Sequence, residues 1–254
     1  MTDAQYDADR SQTLANRVRL RGNKNLLYWY GRLYEEQFRQ EEGLSSKRIL
    51  EIGSGASPLK EFVPNVITSD VLNLDYLDIV FDCHMIADLK AIDDGSLDII
   101  TMTNVLHHLG DPLAFLRGAR RKLARGGRIY MTEPYFSILS YPMYKFLHHE
   151  PVNFAISRPV LEKAGGPLST ANQAMPFMLF FTQPWLAELA DLYDLYRTEL
   201  RYFSSISYPL TGGIGRTFPV PAWLYEFFFA FDQGLATRLP RLFASFFIAR
   251  MVAR

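Results

Sequence analysis

The chain has 254 residues, 48% of them hydrophobic, with 27 Lys plus Arg against 27 Asp plus Glu. That length is enough to bury a full core, and the balanced charge argues against a dedicated nucleic-acid binder, which would carry a basic excess. A single cysteine, Cys83, excludes an internal disulfide and fits a reducing compartment.

The first residues, from Met1 to Asp7, are polar and acidic, unlike the basic and apolar start of a secretory leader, so a cytoplasmic location is expected. Residues 1–45 read as a helical cover, with Leu26, Leu27, Tyr30, Leu33, Tyr34 and Phe38 recurring at helical spacing. Strands are expected at 47–52, 66–70, 77–82 and 97–104. The first runs through Glu51 and Ile52 into Gly53-Ser54-Gly55, and the second ends in Asp70. Glycine allows positive φ and lets a ligand approach the backbone, while a carboxylate at the second strand's tip can accept from two ribose hydroxyls. These features together point to a nucleoside cofactor. Pro58 occupies the place of the third glycine of a dinucleotide loop.

The joint 53–65 is near the minimum for a helical crossover. The next, 71–76, is too short for a helix, so one flanking helix is expected to be reduced to a loop. Asp111-Pro112 opens a helix with Leu113, Leu116, Ala119 and Leu123 on one face and Gly126 as its stop, and a fifth strand follows at 127–133. Beyond Pro134 comes an aromatic-rich insertion, 135–181. Thr182-Gln183-Pro184 starts a helix running to Tyr193, and 197–204 alternates like a strand. A helix from Ala222 and a last strand at 244–252 complete the chain. Asn172-Gln173 and Gly212-Gly213 read as loop and turn chemistry. The helix at Ala222 reads as core packing rather than a membrane-surface element, because Glu226 and Asp232 interrupt its apolar face. No apolar run approaches the roughly 20 residues of a spanning helix.

From Arg48 to Pro134 the motifs fall in a recognisable order. They are the glycine loop, Asp70, Asp82-Cys83, Asp94-Gly95-Ser96-Leu97-Asp98-Ile99-Ile100, Asn104-Val105-Leu106-His107-His108-Leu109, and Leu123-Ala124-Arg125-Gly126-Gly127-Arg128. This stretch resembles the class I S-adenosylmethionine-dependent methyltransferases of the small-molecule kind. The resemblance implies a Rossmann-like, doubly wound α/β fold: a mostly parallel seven-stranded sheet with an antiparallel last strand, an N-terminal helical cover and helical insertions. One domain is expected, divided into the cover 1–45, a cofactor-binding core 46–134, an acceptor-side insertion 135–181 and a C-terminal part 182–254. The implied cofactor is S-adenosyl-L-methionine. Gly53, Ser54 and Gly55 would meet its methionine moiety, Glu51 would lie beneath its ammonium, Asp70 would hold ribose, and Val71 and Asn104 would complete the set. Asp82-Cys83 resembles the family's adenine-binding pair. Asp88 is the competing acid, less suited because it does not end an apolar strand.

Four of the five histidines form two doublets, His107-His108 and His148-His149, each following the carboxyl end of a parallel strand, where such sheets hold ligands. A hydroxyl acceptor benefits from a base, which makes His148, His149 and His108 the catalytic candidates. The His148-His149-Glu150 run is a poor metal site, because adjacent residues do not easily face one ion. Tyr135, Phe136, Tyr141, Tyr144 and Phe146 form either core or the wall of an apolar acceptor pocket. Methyl transfer to oxygen of a small or lipid-like acceptor is expected. The alternatives are a C- or N-methyltransferase of the same fold, or a non-catalytic cofactor-binding subunit. No nucleic-acid partner is expected, and peripheral membrane contact is not favoured.

Overall fold

The computed structural model describes residues 2–161, 170–183 and 185–254. Its sheet forms from β1 (Ile49–Ile52), β2 (Val66–Asp70), β3 (Ile79–Val80), β4 (Leu97–Thr103), β5 (Leu123–Pro134), β6 (Tyr193–Phe203) and β7 (Phe246–Ala253). The order is β3-β2-β1-β4-β5-β7-β6, with parallel pairing from β3 through β5 and β7 antiparallel to both of its neighbours. This is the doubly wound, mostly parallel sheet with an antiparallel last strand that the sequence predicts.

Strand periodicity sends alternate residues to two cores. Leu50, Ile52, Ile100, Met102, Ile129 and Met131 belong to one. Ile49, Val66, Ile99, Tyr130, Phe246 and Ile248 belong to the other. The helices on these faces, in chain order, begin with α1 (Asp3–Gly22), α2 (Lys24–Gln37), the single turn α3 (Leu59–Phe62) and α4 (Pro112–Lys122). After β5 come the turn α5 (Ser140–Pro142), α6 (Ala174–Phe181) and α7 (Trp185–Leu192). The last are the turn α8 (Ser207–Leu210), α9 (Ala222–Arg238) and the turn α10 (Pro240–Phe243). Trp29 and Leu33 of α2 pack with Tyr225 and Phe229 of α9 on one side of the sheet, and Leu116 of α4 with Leu179 and Leu189 on the other.

Both helix starts carry a side-chain cap, of which the sequence predicts the one at Asp111. Thr2 accepts from Gln5 N at the start of α1, and Asp111 accepts from Ala114 N at 2.8 Å at the start of α4. The joint between β1 and β2 carries only α3, and no helix stands between β2 and β3.

Several boundaries differ from the sequence reading. Helix α4 stops at Lys122, not at Gly126, because β5 begins at Leu123. Gly126 (φ +73°) and Gly127 lie within that strand, where a Cβ on Gly127 would sit 3.0 Å from Leu97 O. Strand β3 is shorter than expected, and Asp82 instead caps the 3₁₀ turn Cys83–Asp88. Helix α6 was not expected. Helix α7 was, although Pro184, proposed as part of its start, lies outside the described residues.

Helix α9 has two faces: Tyr225, Phe229, Asp232 and Ala236 are buried, while Trp223, Phe227 and Phe231 are exposed. Asp232, read from sequence as interrupting the apolar face, lies on the buried face and accepts from Ser205 N, Ile206 N and Ser207 N. Among the described residues no helix is long and apolar enough to cross a membrane.

Candidate functional site

One cavity of about 1140 Å³ lies at the carboxyl ends of β1, β2 and β4. Its cofactor-like end is built by the glycine loop. Gly53 has φ +75°, and a Cβ there would lie 2.4 Å from Val105 Cγ2. A Cβ on Gly55 would meet Thr13 Cγ2 at 2.7 Å and Asp70 Oδ2 at 3.0 Å. Only glycine fits at either position. Asp70 ties the loop to β2, its Oδ2 accepting from Gly55 N at 2.9 Å and its Oδ1 from Leu72 N at 3.0 Å. Burial raises its pKa against the pull of these amides.

Helix α1 roofs this end with Gln12, Thr13, Asn16 and Arg19. It is anchored where Arg10 Nε donates to Asn73 O and Tyr6 Oη accepts from Asn73 N. The residues whose helical spacing suggested a cover, Leu26 to Phe38, lie on and just after α2 and pack in the core, whereas α1 borders the cavity.

Of the expected cofactor residues, Gly53, Gly55, Asp70, Val71, Asp82, Cys83 and Asn104 all line the cavity, and Asp88 does not. Asp82 Oδ1 accepts from His84 N and meets His84 Nδ1 at 2.7 Å. The Cys83 thiol is pushed up to about 12, first by burial and then by Asp82 and Asp70, so it is an inert filler. Asn104 sits at φ +54°, and its buried Oδ1 has no hydrogen-bond partner among the described residues. Glu51 and Ser54 do not line the cavity. Glu51 is buried beneath the loop, accepting from Ser54 Oγ at 2.7 Å and Ser57 Oγ at 2.5 Å. Burial raises its carboxyl to about 7, opposed by those hydroxyls.

Both histidine doublets line the other end of the same cavity. His107 is buried, its Nδ1 2.5 Å from Glu133 Oε2, and its Nε2 3.2 Å from Glu150 Oε2. Glu133 Oε1 also accepts from Val105 N and Leu106 N. Burial opposes charge on His107, but Glu133 and Glu150 overcome it and raise its pKa to about 10. His108 donates from Nδ1 to Thr170 O at 2.9 Å and turns Nε2 toward Glu150 Oε1 at 3.4 Å. Burial, then the charge on His107, lower its pKa to about 4. Glu150 is held well below the usual carboxylate range by His107 and His108, against a burial cost.

His148 spends its Nδ1 lone pair on Gln173 Nε2 at 2.7 Å and Glu150 N at 3.2 Å. The His149 side chain is 79% exposed. Gln173, read as loop chemistry, also donates to Glu150 Oε2 at 2.8 Å, and its buried Oε1 has no partner among the described residues. Glu133 and Gln173 were missed because their link to the doublets exists only in the fold.

Of the aromatic wall, only Tyr144 lines the cavity, beside Met143, Leu147, Tyr208, Phe218 and Phe246. Tyr135 and Phe136 pack against Phe177 instead, and Phe146 is exposed.

A family model described as a methyltransferase domain matches residues 25–172. Among solved structures, the chain is similar to the complex between the Haloferax volcanii Trm112 methyltransferase activator and the putative methyltransferase. That match has 14% identity, covers 98% of this chain and 97% of that one, and gives a TM-score of 0.50. It is also similar to a SAM-dependent methyltransferase from Archaeoglobus fulgidus, at 18% identity, 87% and 98% coverage and a TM-score of 0.44. At 14% identity the likeness to the Haloferax volcanii complex speaks to the fold alone. A comparison with curated proteins finds no match.

Proposed function

The chain belongs to the methyltransferase-domain family and is an S-adenosylmethionine-dependent methyltransferase, and on that premise we propose that it methylates oxygen of a small or lipid-like acceptor. The observation that carries this reading is the single cavity running from the glycine loop to a carboxylate–imidazole cluster. The cofactor-like end fits S-adenosylmethionine, with close backbone approach at Gly53 and Gly55, an acid at Asp70 and an orphaned acceptor at Asn104. Asp70 would hold the ribose, Asp82 and the Cys83 backbone the adenine, and Asn104 Oδ1 a donor on the methionine moiety. Glu51 supports the loop from below. The cofactor supplies a sulfonium-bound methyl group, whose transfer requires a nucleophile in line with the breaking bond.

At the other end Tyr144, Tyr208, Phe218 and Phe246 would orient an apolar acceptor and keep water out. The His107–His108–Glu150 cluster would take the acceptor's proton. His108 is the imidazole best suited, because its bond to Thr170 O fixes hydrogen on Nδ1 and leaves the basic lone pair on Nε2, beside Glu150. His148 has used its lone pair and His149 stands at the rim, so this reading moves the base away from the second doublet.

Incubation with S-adenosylmethionine carrying an isotope-labelled methyl group, against matched phenol, amine and thiol acceptors, tests the reading. Label is expected on oxygen. His108→Gln should lower turnover ~10²- to 10⁴-fold, with His149→Gln near wild type. Label on nitrogen or carbon alone would sink the oxygen assignment, and unchanged turnover in His108→Gln would sink the base.

A further inference from the structure

Around Glu150 one contact is satisfied and one is not: His107 Nε2 can donate to Oε2, whereas His108 Nε2 faces Oε1 with no hydrogen to give. On His107 the Nδ1 hydrogen goes to Glu133, and on His108 to the Thr170 carbonyl, which can only accept. Both rings therefore turn Nε2 toward one carboxylate, at 3.2 Å to Oε2 and 3.4 Å to Oε1. Neutral His108 then sets a lone pair against a carboxylate oxygen, two acceptors with nothing between them.

We propose that His107 Nε2, His108 Nε2 and the Glu150 carboxylate bind one divalent transition-metal ion, facing the acceptor end of the cavity. The ligand atoms all lie within 4.8 Å of one another. Around an ion with bonds of ~2.0 to 2.2 Å, tetrahedral neighbours stand about 3.3 Å apart, close to the spacing seen here. Each imidazole already has the outer partner that metal-bound histidines carry, a carboxylate for His107 and a carbonyl for His108. Gln173 steadies Glu150 by donating from Nε2 to its Oε2. His107 and His108 are adjacent, the arrangement that counted against His148-His149-Glu150, but the 3₁₀ turn Leu106–His108 sets their ring centroids 4.3 Å apart with both Nε2 atoms toward Glu150.

The other trio, Asp82, Cys83 and His84, lacks this opening. His84 Nδ1 faces Asp82 and its Nε2 accepts from Gly110 N at 3.0 Å, so no lone pair is free for an ion.

The inference rests on the reading of this cavity as a hydroxyl-acceptor site and deepens it. An ion-bound hydroxide would take the acceptor's proton and leave as water, while the acceptor oxygen takes its place on the ion. His108 then acts through the ion that it holds.

The test is calorimetric titration of Zn²⁺ into the full chain after chelator treatment, with Co²⁺ absorption as a spectroscopic companion. One equivalent should bind, with d–d bands for Co²⁺ in a nitrogen and oxygen site. Glu150→Gln and His108→Gln should each weaken binding ~100-fold or more. Glu133→Gln should weaken it ~10- to 100-fold, and His84→Ala and His149→Ala should leave it unchanged. S-adenosylhomocysteine binding checks that each variant is folded. No stoichiometric Zn²⁺ binding by the wild type, or binding that survives Glu150→Gln and His108→Gln, overturns the ion. Methyl transfer to oxygen by a metal-free enzyme would overturn the ion's role and leave the proposed function standing. Zn²⁺ bound at these residues, with label never reaching oxygen, would do the reverse.

Discussion

Glu51 stands near the end of β1, as the sequence predicts, and its buried carboxyl turns under the loop to accept from Ser54 and Ser57. Burial lifts it to about 7, above the ordinary 4.5. A raised carboxyl contributes stability that is complete below its unfolded pKa and is lost as pH rises through the folded one. Between about pH 5.5 and about pH 8 the wild type should therefore lose about 2 kcal/mol more than Glu51→Gln, which never ionises. Thermal unfolding of both proteins at the two pH values checks this; parallel curves would mean that Glu51 is ionised throughout. The glycines and Asp70 were legible because each sits where a short apolar strand ends, the glycines after β1 and Asp70 at the tip of β2. The His107–Glu133–Glu150–Gln173 cluster was not, since it joins β5, the 3₁₀ turn Leu106–His108 and a loop far apart in sequence.

At the scale of elements, strands with clean alternation and helices with caps were readable, and those lacking either were not. Helix α6 carries Ala174-Met175-Pro176-Phe177-Met178-Leu179-Phe180-Phe181, so nearly apolar throughout that no face stands out, and a proline in its first turn hides it further. Helix α9 was placed correctly between β6 and β7, but the role of Asp232 was not legible, because its partners are backbone amides of the turn after β6. Those three bonds fix the turn that carries Ser205 and Tyr208 into the cavity wall. Asp232→Ala would leave three amides without their acceptor and should cost about 3 kcal/mol or more. Exposed Glu226→Ala should change stability by less than about 0.5 kcal/mol. Thermal or denaturant unfolding separates the two; equal, small shifts would show that water replaces the carboxylate.

Over the whole molecule, the sheet brings two chemistries to one edge. The glycine loop and Asp70 sit after β1 and β2, and the histidine cluster sits after β4 and β5, with α1 roofing one end and the segment after α5 bordering the other. The cofactor half was visible in the sequence as ordered motifs. The acceptor half was visible only as suspicious residues, because nothing in a linear pattern says that Glu150 returns to His107.

The central claim, that these two ends of one cavity divide the labour, is tested most directly by calorimetric titration of S-adenosylhomocysteine into wild type, Asp70→Ala and His108→Gln. Asp70→Ala should lose about 1.5 to 3 kcal/mol of binding, a weakening of roughly 10- to 100-fold, while His108→Gln binds as wild type. Equal losses in both variants, or wild-type affinity in Asp70→Ala, would contradict it.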